Sequence, residues 1–444
     1  MTNKRKIIND PVYGFLSIDD DLIYDVIEHP YFQRQRAIKQ LGFTYLVYPG
    51  AMHSRFSHML GALNLMKRAI AVLRTKGVSI SHDESLGVQL AILLHDVGHG
   101  PFSHTSEKVL CNVHHEYLTR LFMRRLNAQF RGRLQTAIEI FDDTYPRHFL
   151  HQLVSSQLDM DRLDYLARDS FFTGVSEGIV GTERIINMLN VKDDVLVVDE
   201  KGIYSIEKFI ISRRLMYWQV YLHKTVIAAD NVFYSILSRA RHLLSQGVKL
   251  DGYAPLLAFL ERQYDASDFS EDAGLVSQVT NPSSPLSAFR FPLSAPPSPL
   301  SAPSSPLSAS HLLDLYASID DADVMSTLKE WQHSPDRVLS TLSTMLLWRQ
   351  LPKVEERTES FLADDVKRHI EQVMGEWELT SDEAQYFVGT GSLVNRSYSF
   401  SDSEIRILYK DGTCRGISES SDQLDRHFLE KAVKKYYIFY PKKL

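Results

Sequence analysis

A mostly helical fold with a smaller C-terminal α+β region is predicted by three features of the sequence. Residues 15 to 240 carry apolar residues at helical spacing with few prolines. Residues 281 to 310 interrupt this with a repeat of proline, serine and alanine. After residue 396 the pattern changes to alternating strands around an Asp-Gly turn.

Each element follows from local pattern. "SRFSHMLGALNLMKRAIAVLRT" places Phe56, Met59, Leu60, Leu63, Met66 and Ile70 three and four residues apart, one face of a helix. "SLGVQLAILLHD" is apolar on nearly every side and predicts a central helix, ended by Gly98, Gly100 and Pro101. "SSQLDMDRLDYLARDSFFTG" predicts a helix that stops at Gly174. "VKDDVLVVDEKGIYSIEKF" reads as a hairpin around an Asp-Glu-Lys-Gly turn, and "IEKFIISRRLMYWQVYLHKTVIAADNVFYSILSRARHLL" as one long helical stretch without proline. Helices are expected near 311–350 and 360–376, then a hairpin within "YSFSDSEIRILYKDGTCRGIS", then a helix running into the aromatic strand of "KKYYIFYP". "PLSA" recurs at 285, 292, 299 and 306. Prolines at that density exclude a coiled coil and predict a disordered insertion. The chain thus divides into a core at 1–250, a helical extension at 251–280, the insertion at 281–310, and a C-terminal region at 311–444 that completes the fold.

Composition narrows the class. A formal charge of −6 over 444 residues argues against a general nucleic-acid binder. Two cysteines are too few for a disulfide framework, and no apolar leader or membrane-length run is present, so a cytoplasmic protein is expected.

"HDVGHGPFSH" (95–104) is the most unusual stretch. His95 and Asp96 end a buried apolar helix, where they are costly unless paired. His58 sits beside an apolar helical face, and Asp161, Tyr165 and Asp169 share a face at four-residue spacing. A helix end whose histidine contacts the last carbonyls would explain His95-Asp96 alone. Three helices that each offer such a group point instead to a divalent cation held by His58, His95, Asp96 and Asp161, with positions left open for substrate.

These motifs, with "NDPVYG", "HPYFQRQRAIKQLG", "YPGAMHSRFSHMLG", "LLHDVGHGPFSH", "HHEYL", "DMDRLDYLARD" and "YLHKT", resemble the HD-domain metal-dependent phosphohydrolases, in particular their deoxynucleotide triphosphohydrolase branch. The resemblance is close over residues 5 to 240. It implies an HD-domain helical bundle that cleaves a dNTP to deoxynucleoside and inorganic triphosphate. The cofactor would be a divalent metal (Mn, Mg, Fe, Co or Zn) that activates water.

By resemblance, His99, His104 and His115 surround the α-phosphate. His104 is the general acid, oriented by Glu107 where relatives have aspartate. Arg55, Arg162, Arg213 and Lys224 would meet the phosphates, with Arg162 in place of a lysine and Tyr217 in place of a histidine. Gln40, Tyr165 and Asp169 would bind the 3′-hydroxyl, and Leu41 and Tyr221 would crowd the 2′ position. Lys6, Asn9, Glu28, Gln33 and Arg36 match residues that hold an activating guanine nucleotide (GTP or dGTP) at subunit contacts, which implies a homo-dimer or tetramer. An HD phosphohydrolase of other nucleotide specificity, or a nucleotide-binding regulator without turnover, is the alternative.

Overall fold

The computed structural model describes residues 6–269, 308–395, 398, 404–430 and 432–442. Most of the PLSA stretch, and the end of the helical extension before it, lie outside these. Residues 308–310 are described and already belong to a helix, so the C-terminal helices begin inside the span read as insertion.

The chain opens with a hairpin that the sequence reading did not place, β1 (Lys6–Asp10) and β2 (Gly14–Ile18). Asp10 makes its turn by accepting from the amides of Val12 and Tyr13. Helix α1 (Asp21–Glu28) follows, capped by Asp20. The central pair is α2 (Arg55–Thr75) and α3 (His82–Leu94), the latter started by a Ser81/Glu84 capping box. Both are buried on nearly all sides, and the predicted face of α2 is fully in the core. Next come α4 (His104–Leu110), α5 (His115–Gln129) and α6 (Met160–Thr173), the last ended by Gly174 in the left-handed conformation (φ 75°).

Two sequence expectations need correction. The hairpin of β3 (Leu189–Lys192) and β4 (Val195–Asp199) turns at Asp193-Asp194, both at positive φ, whereas Glu200–Gly202 leads into α7 (Ile203–Met216). Two aspartates can occupy a tight turn because their short side chains tolerate the left-handed region. The long helical stretch is also broken: α7 ends at Met216, Tyr217–Tyr221 form a wide π turn, and α8 (Lys224–Ser245) starts anew with His223 as its cap. No proline was needed, because the wide turn delivers Tyr217 and Tyr221 to the site described below.

Beyond the gap, α9 (Ala309–Ala317), α10 (Asp321–Trp331) and α11 (Arg337–Leu347) pack back on the core. Strand β5 (Lys353–Arg357), β6 (Gly389–Asn395) and the aromatic β9 (Val433–Tyr440) form a sheet in the order β5-β9-β6. The expected Asp-Gly hairpin is present as β7 (Arg406–Leu408) and β8 (Cys414–Gly416). β7 pairs in parallel with β4, so a single four-stranded sheet in the order β3-β4-β7-β8 joins the middle of the chain to its C-terminal region. Among the described residues, no helix is long and apolar enough to cross a membrane.

Candidate active site

Three helices bring their predicted groups together. His58 lies one turn into α2, His95 follows the last residue of α3, and Asp161 lies in the first turn of α6. His58 Nε2 is 3.3 Å from His95 Nε2 and 3.1 Å from Asp161 Oδ1, while His95 Nε2 is 3.5 Å from that same oxygen. Asp96 presents oxygens 3.7 Å from His58 and 3.6 Å from His95.

The chemistry of this set fits a cation. His95 Nδ1 lies 2.6 Å from the Ile92 carbonyl, which only accepts, so Nδ1 carries the proton. His58 Nδ1 is likewise committed to Asp164 Oδ2 at 2.7 Å. Both neutral rings therefore turn Nε2 lone pairs toward one another and toward a carboxylate oxygen, an arrangement that repels unless a positive charge sits among them. The protonation tendencies agree. Burial opposes the charged form of His58, yet Asp161 and Asp164 outweigh it and push its pKa up to about 10. Partial burial opposes the charged form of Asp161, but the hydrogen bonds and charges of His58 and His95 hold it below the usual carboxylate range. A divalent cation satisfies the same electrostatic demand without those protons.

Asp164 was missed by sequence reading, and it orients the site. It is fully buried and also accepts from Arg168, Nε at 3.0 Å and Nη2 at 3.1 Å; Arg168 reaches Asp10 at 2.8 Å. The available signal was its position three residues after Asp161, on the α6 surface that meets α2.

A cavity of about 300 Å³ opens beside the cation set. Asp96, His99, His104, His115 and Asp161 line it, as do Gln40, Leu41, Arg55, Arg162, Tyr165, Asp169, Tyr217 and Tyr221. His58 and His95 lie behind the wall. Arg213 is buried on Gln157, and Lys224 is exposed at the start of α8; neither joins the lining.

Arg55 spans the floor, donating to Asp96 and, at 2.9 Å, to Ser103 Oγ. The loop it grips holds Phe102 and Ser103 at positive φ, a strained turn for non-glycine residues. Asp321 of α10 stabilises that turn by accepting from the Phe102 amide at 2.7 Å, and its other oxygen takes Lys39. Arg162 is held by Asp159 and the Ser156 carbonyl.

Glu107 lies among three histidines, its Oε1 2.8 Å from His99 Nδ1 and 3.2 Å from Nδ1 of both His104 and His115. The contacts to His99 and His115 are poorly aligned as hydrogen bonds, leaving those atoms without directed partners. Burial and the neighbouring charges of Arg55 and His115 lower His99 to about 3, so it is neutral. His115 is raised despite burial by Glu107.

Elsewhere in the lining, the Tyr221 hydroxyl donates to Asp169 Oδ2 at 2.7 Å, and His53 Nε2 lies 2.8 Å from Asp169 Oδ1. His53 is a second functional neighbour that no sequence pattern marked. Gln40 Oε1 is buried without a partner.

The five residues expected to bind a regulatory nucleotide lie on β1, α1 and the turns after it. Lys6 pairs with Glu28 at 2.5 Å, Gln33 donates to the Ile27 carbonyl, and Arg36 donates to Gln33 and stacks on Phe56. Asn9 is paired with Phe15 in the hairpin.

Comparison with known proteins agrees with this geometry. The HD domain model matches residues 55–169, the span from Arg55 to Asp169, and an HD associated region matches 180–249. The Bacillus subtilis protein YwfO is 40% identical over 252 residues, covering 55% of this chain and 58% of its own. The human deoxynucleoside triphosphate triphosphohydrolase SAMHD1 is 27% identical over 323 residues, covering 62% of this chain and 49% of its own. The chain spans about half to three-fifths of the length of the curated relatives it matches (48% to 63% for the first four). A crystal structure of a phosphohydrolase from Bacteroides thetaiotaomicron superposes with a TM-score of 0.88 at 46% identity, covering 99% of this chain and all of the other. With a full-length counterpart at that identity and the HD set assembled on three helices, the chain belongs to the HD-domain phosphohydrolases.

Proposed function

We propose that this protein is a divalent-metal-dependent dNTP triphosphohydrolase that releases deoxynucleoside and inorganic triphosphate. The observation that carries the reading is one cavity lined by two kinds of residue: Asp96, Asp161, Arg55, Arg162 and three histidines, and with them Gln40, Leu41, Tyr165, Asp169 and Tyr221. The similarity to SAMHD1, whose name states this activity, supports it. When bound at His58, His95, Asp96 and Asp161, the cation activates water and neutralises phosphoryl charge.

The chain's own groups do the rest. Arg55 and Arg162 bind phosphate oxygens, and Arg213 and Lys224 contribute charge toward the distal phosphates. Neutral His99 donates a hydrogen bond to the α-phosphate, and His115 adds a second contact there. His104 delivers a proton to the 5′-oxygen as the bond from α-phosphorus breaks, with Glu107 positioning its ring. Gln40, with its free buried acceptor, takes the 3′-hydroxyl together with Tyr165. Asp169 fixes the Tyr221 hydroxyl, so that Tyr221 and Leu41 stand against a 2′-hydroxyl.

Lys6, Asn9, Glu28, Gln33 and Arg36 are proposed to take a guanine nucleotide (GTP or dGTP) at the contact between subunits of a homo-dimer or tetramer in the cytoplasm. Opening the Lys6–Glu28 pair would free the carboxylate for the guanine edge.

The test is product analysis. Protein with Mn²⁺, Mg²⁺ or Co²⁺ is given each dNTP, with and without GTP, and phosphorus NMR resolves the products. Triphosphate is expected. Orthophosphate or pyrophosphate would assign another HD phosphohydrolase specificity, and binding without turnover would assign a nucleotide-responsive regulator.

A further inference from the structure

Among the carboxyls that line the cavity and that the proposed reaction leaves unused, Asp230 stands on α8. Val226, Asp230 and Tyr234 recur every four residues on α8, and all three line the cavity. Asp230 Oδ1 accepts from Thr105 Oγ1 at 3.0 Å. No lysine, arginine or histidine pairs with Asp230 among the described residues. The other acidic groups around the cavity have charged or structural partners. Asp96 faces Arg55, Asp159 caps α6, Asp161 and Asp164 face His58, Asp169 holds His53 and Tyr221, Glu107 sits among histidines, and Glu116 lies 3.9 Å from His114.

Asp230 has no such structural use, and it costs stability where it stands. Burial pushes its carboxyl up to about 7, only partly offset by the Thr105 hydroxyl. A partly buried acid whose partner is a hydroxyl rather than a cation, opening on a cavity, is the pattern of a ligand contact.

Its position suggests which part of the ligand. A Cβ on Gly42 would meet the Phe102 carbonyl at 3.1 Å and Thr105 Oγ1 at 3.6 Å, so Gly42 lies against Thr105. The segment Gln40-Leu41-Gly42 therefore runs from the residues assigned to the sugar directly to the Thr105–Asp230 pair. Val226, Tyr234 and Leu41 give that end flat apolar walls, suited to a heteroaromatic ring.

We infer that Asp230 reads the nucleobase, its Oδ2 accepting from the exocyclic amino group of adenine (N6) or cytosine (N4), so that these are favoured over thymine and guanine. This rests on the dNTP reading above. Thymine O4 and guanine O6 turn a carbonyl oxygen toward the acceptor where adenine and cytosine have an amino group, and two acceptors repel.

Equilibrium binding of the four dNTPs, measured calorimetrically with Ca²⁺ on wild-type protein and Asp230→Asn, tests it. Wild type is expected to bind dATP or dCTP about tenfold or more tightly than dTTP. Asp230→Asn, whose amide presents a donor, is expected to cut that ratio to about threefold or invert it, while its melting temperature equals or exceeds that of wild type. Thr105→Val, which removes the oxygen's anchor, should narrow the ratio in the same direction. An unchanged ratio, or a uniform loss of all four affinities with a lowered melting temperature, would overturn the assignment. Base-selective binding without triphosphate release would overturn the hydrolytic reading and leave Asp230 as base reader. No binding of any dNTP would overturn both.

Discussion

His58 does two jobs with one ring. Nδ1 is held by Asp164, and Nε2 is thereby fixed toward His95 and Asp161. Asp164 is itself fixed by Arg168, and Arg168 by Asp10 in the N-terminal turn. Loosening the first link frees the ring to rotate and to change tautomer. Asp164→Asn is therefore expected to weaken Mn²⁺ binding by about ten- to a hundredfold in a metal titration, with the ligands themselves intact. An unchanged metal affinity would remove Asp164 from the account. At this scale the groups that carry a motif were legible in the sequence: His58, His95, Asp96 and Asp161, which lie within 3.7 Å of their neighbours in the set. The sequence did not show Asp164, His53 or Asp321. Each acts through a partner distant in sequence, and a carboxylate three residues from a ligand looks no different from a solvated one until the facing helix is known.

Helix α2 and helix α6 approach closely because Gly61 lets them. A Cβ there would lie 2.0 Å from Asp164 Oδ1 and 2.2 Å from Arg168 Nη2, the groups that position His58. Gly61→Ala is expected to lower stability by about 2–3 kcal/mol in urea denaturation, because buried charged groups at a crowded contact have nowhere to move. The change should also lower metal affinity, since it displaces Asp164. A stability within about 0.5 kcal/mol of wild type would show the contact to be slack. Elements with strong periodicity, such as α2, α3 and α6, were legible in the sequence. The break at Tyr217–His223 was not, because no proline or glycine marks it. The β3–β4 turn was displaced in the reading because Asp-Glu-Lys-Gly is the more familiar turn composition, whereas Asp193-Asp194 relies on the tolerance of aspartate for positive φ.

Across the whole molecule, the C-terminal region supports the HD core rather than standing apart from it. β7 extends the β3–β4 hairpin, the Tyr316 hydroxyl donates to the Gly98 carbonyl, and Asp321 holds the strained Phe102-Ser103 turn that Arg55 grips. Asp321→Ala leaves the Phe102 amide and Lys39 without that acceptor. It is expected to cost about 1–3 kcal/mol of stability. Turnover should fall about ten- to a hundredfold, because a loop lining the cavity shifts. Steady-state kinetics at saturating metal would check this, and an unchanged kcat would place Asp321 outside the site's support. Sequence patterning gave the two regions but not their junction, since the pairing of β4 with β7 joins segments some two hundred residues apart. The central claim is that water attacks the α-phosphorus of a dNTP in this cavity, and hydrolysis in oxygen-18 water with mass analysis of the products tests it most directly. The account predicts one labelled oxygen in the released triphosphate and none in the deoxynucleoside. Label in orthophosphate or pyrophosphate, with the nucleotide retaining its α-phosphate, would contradict it.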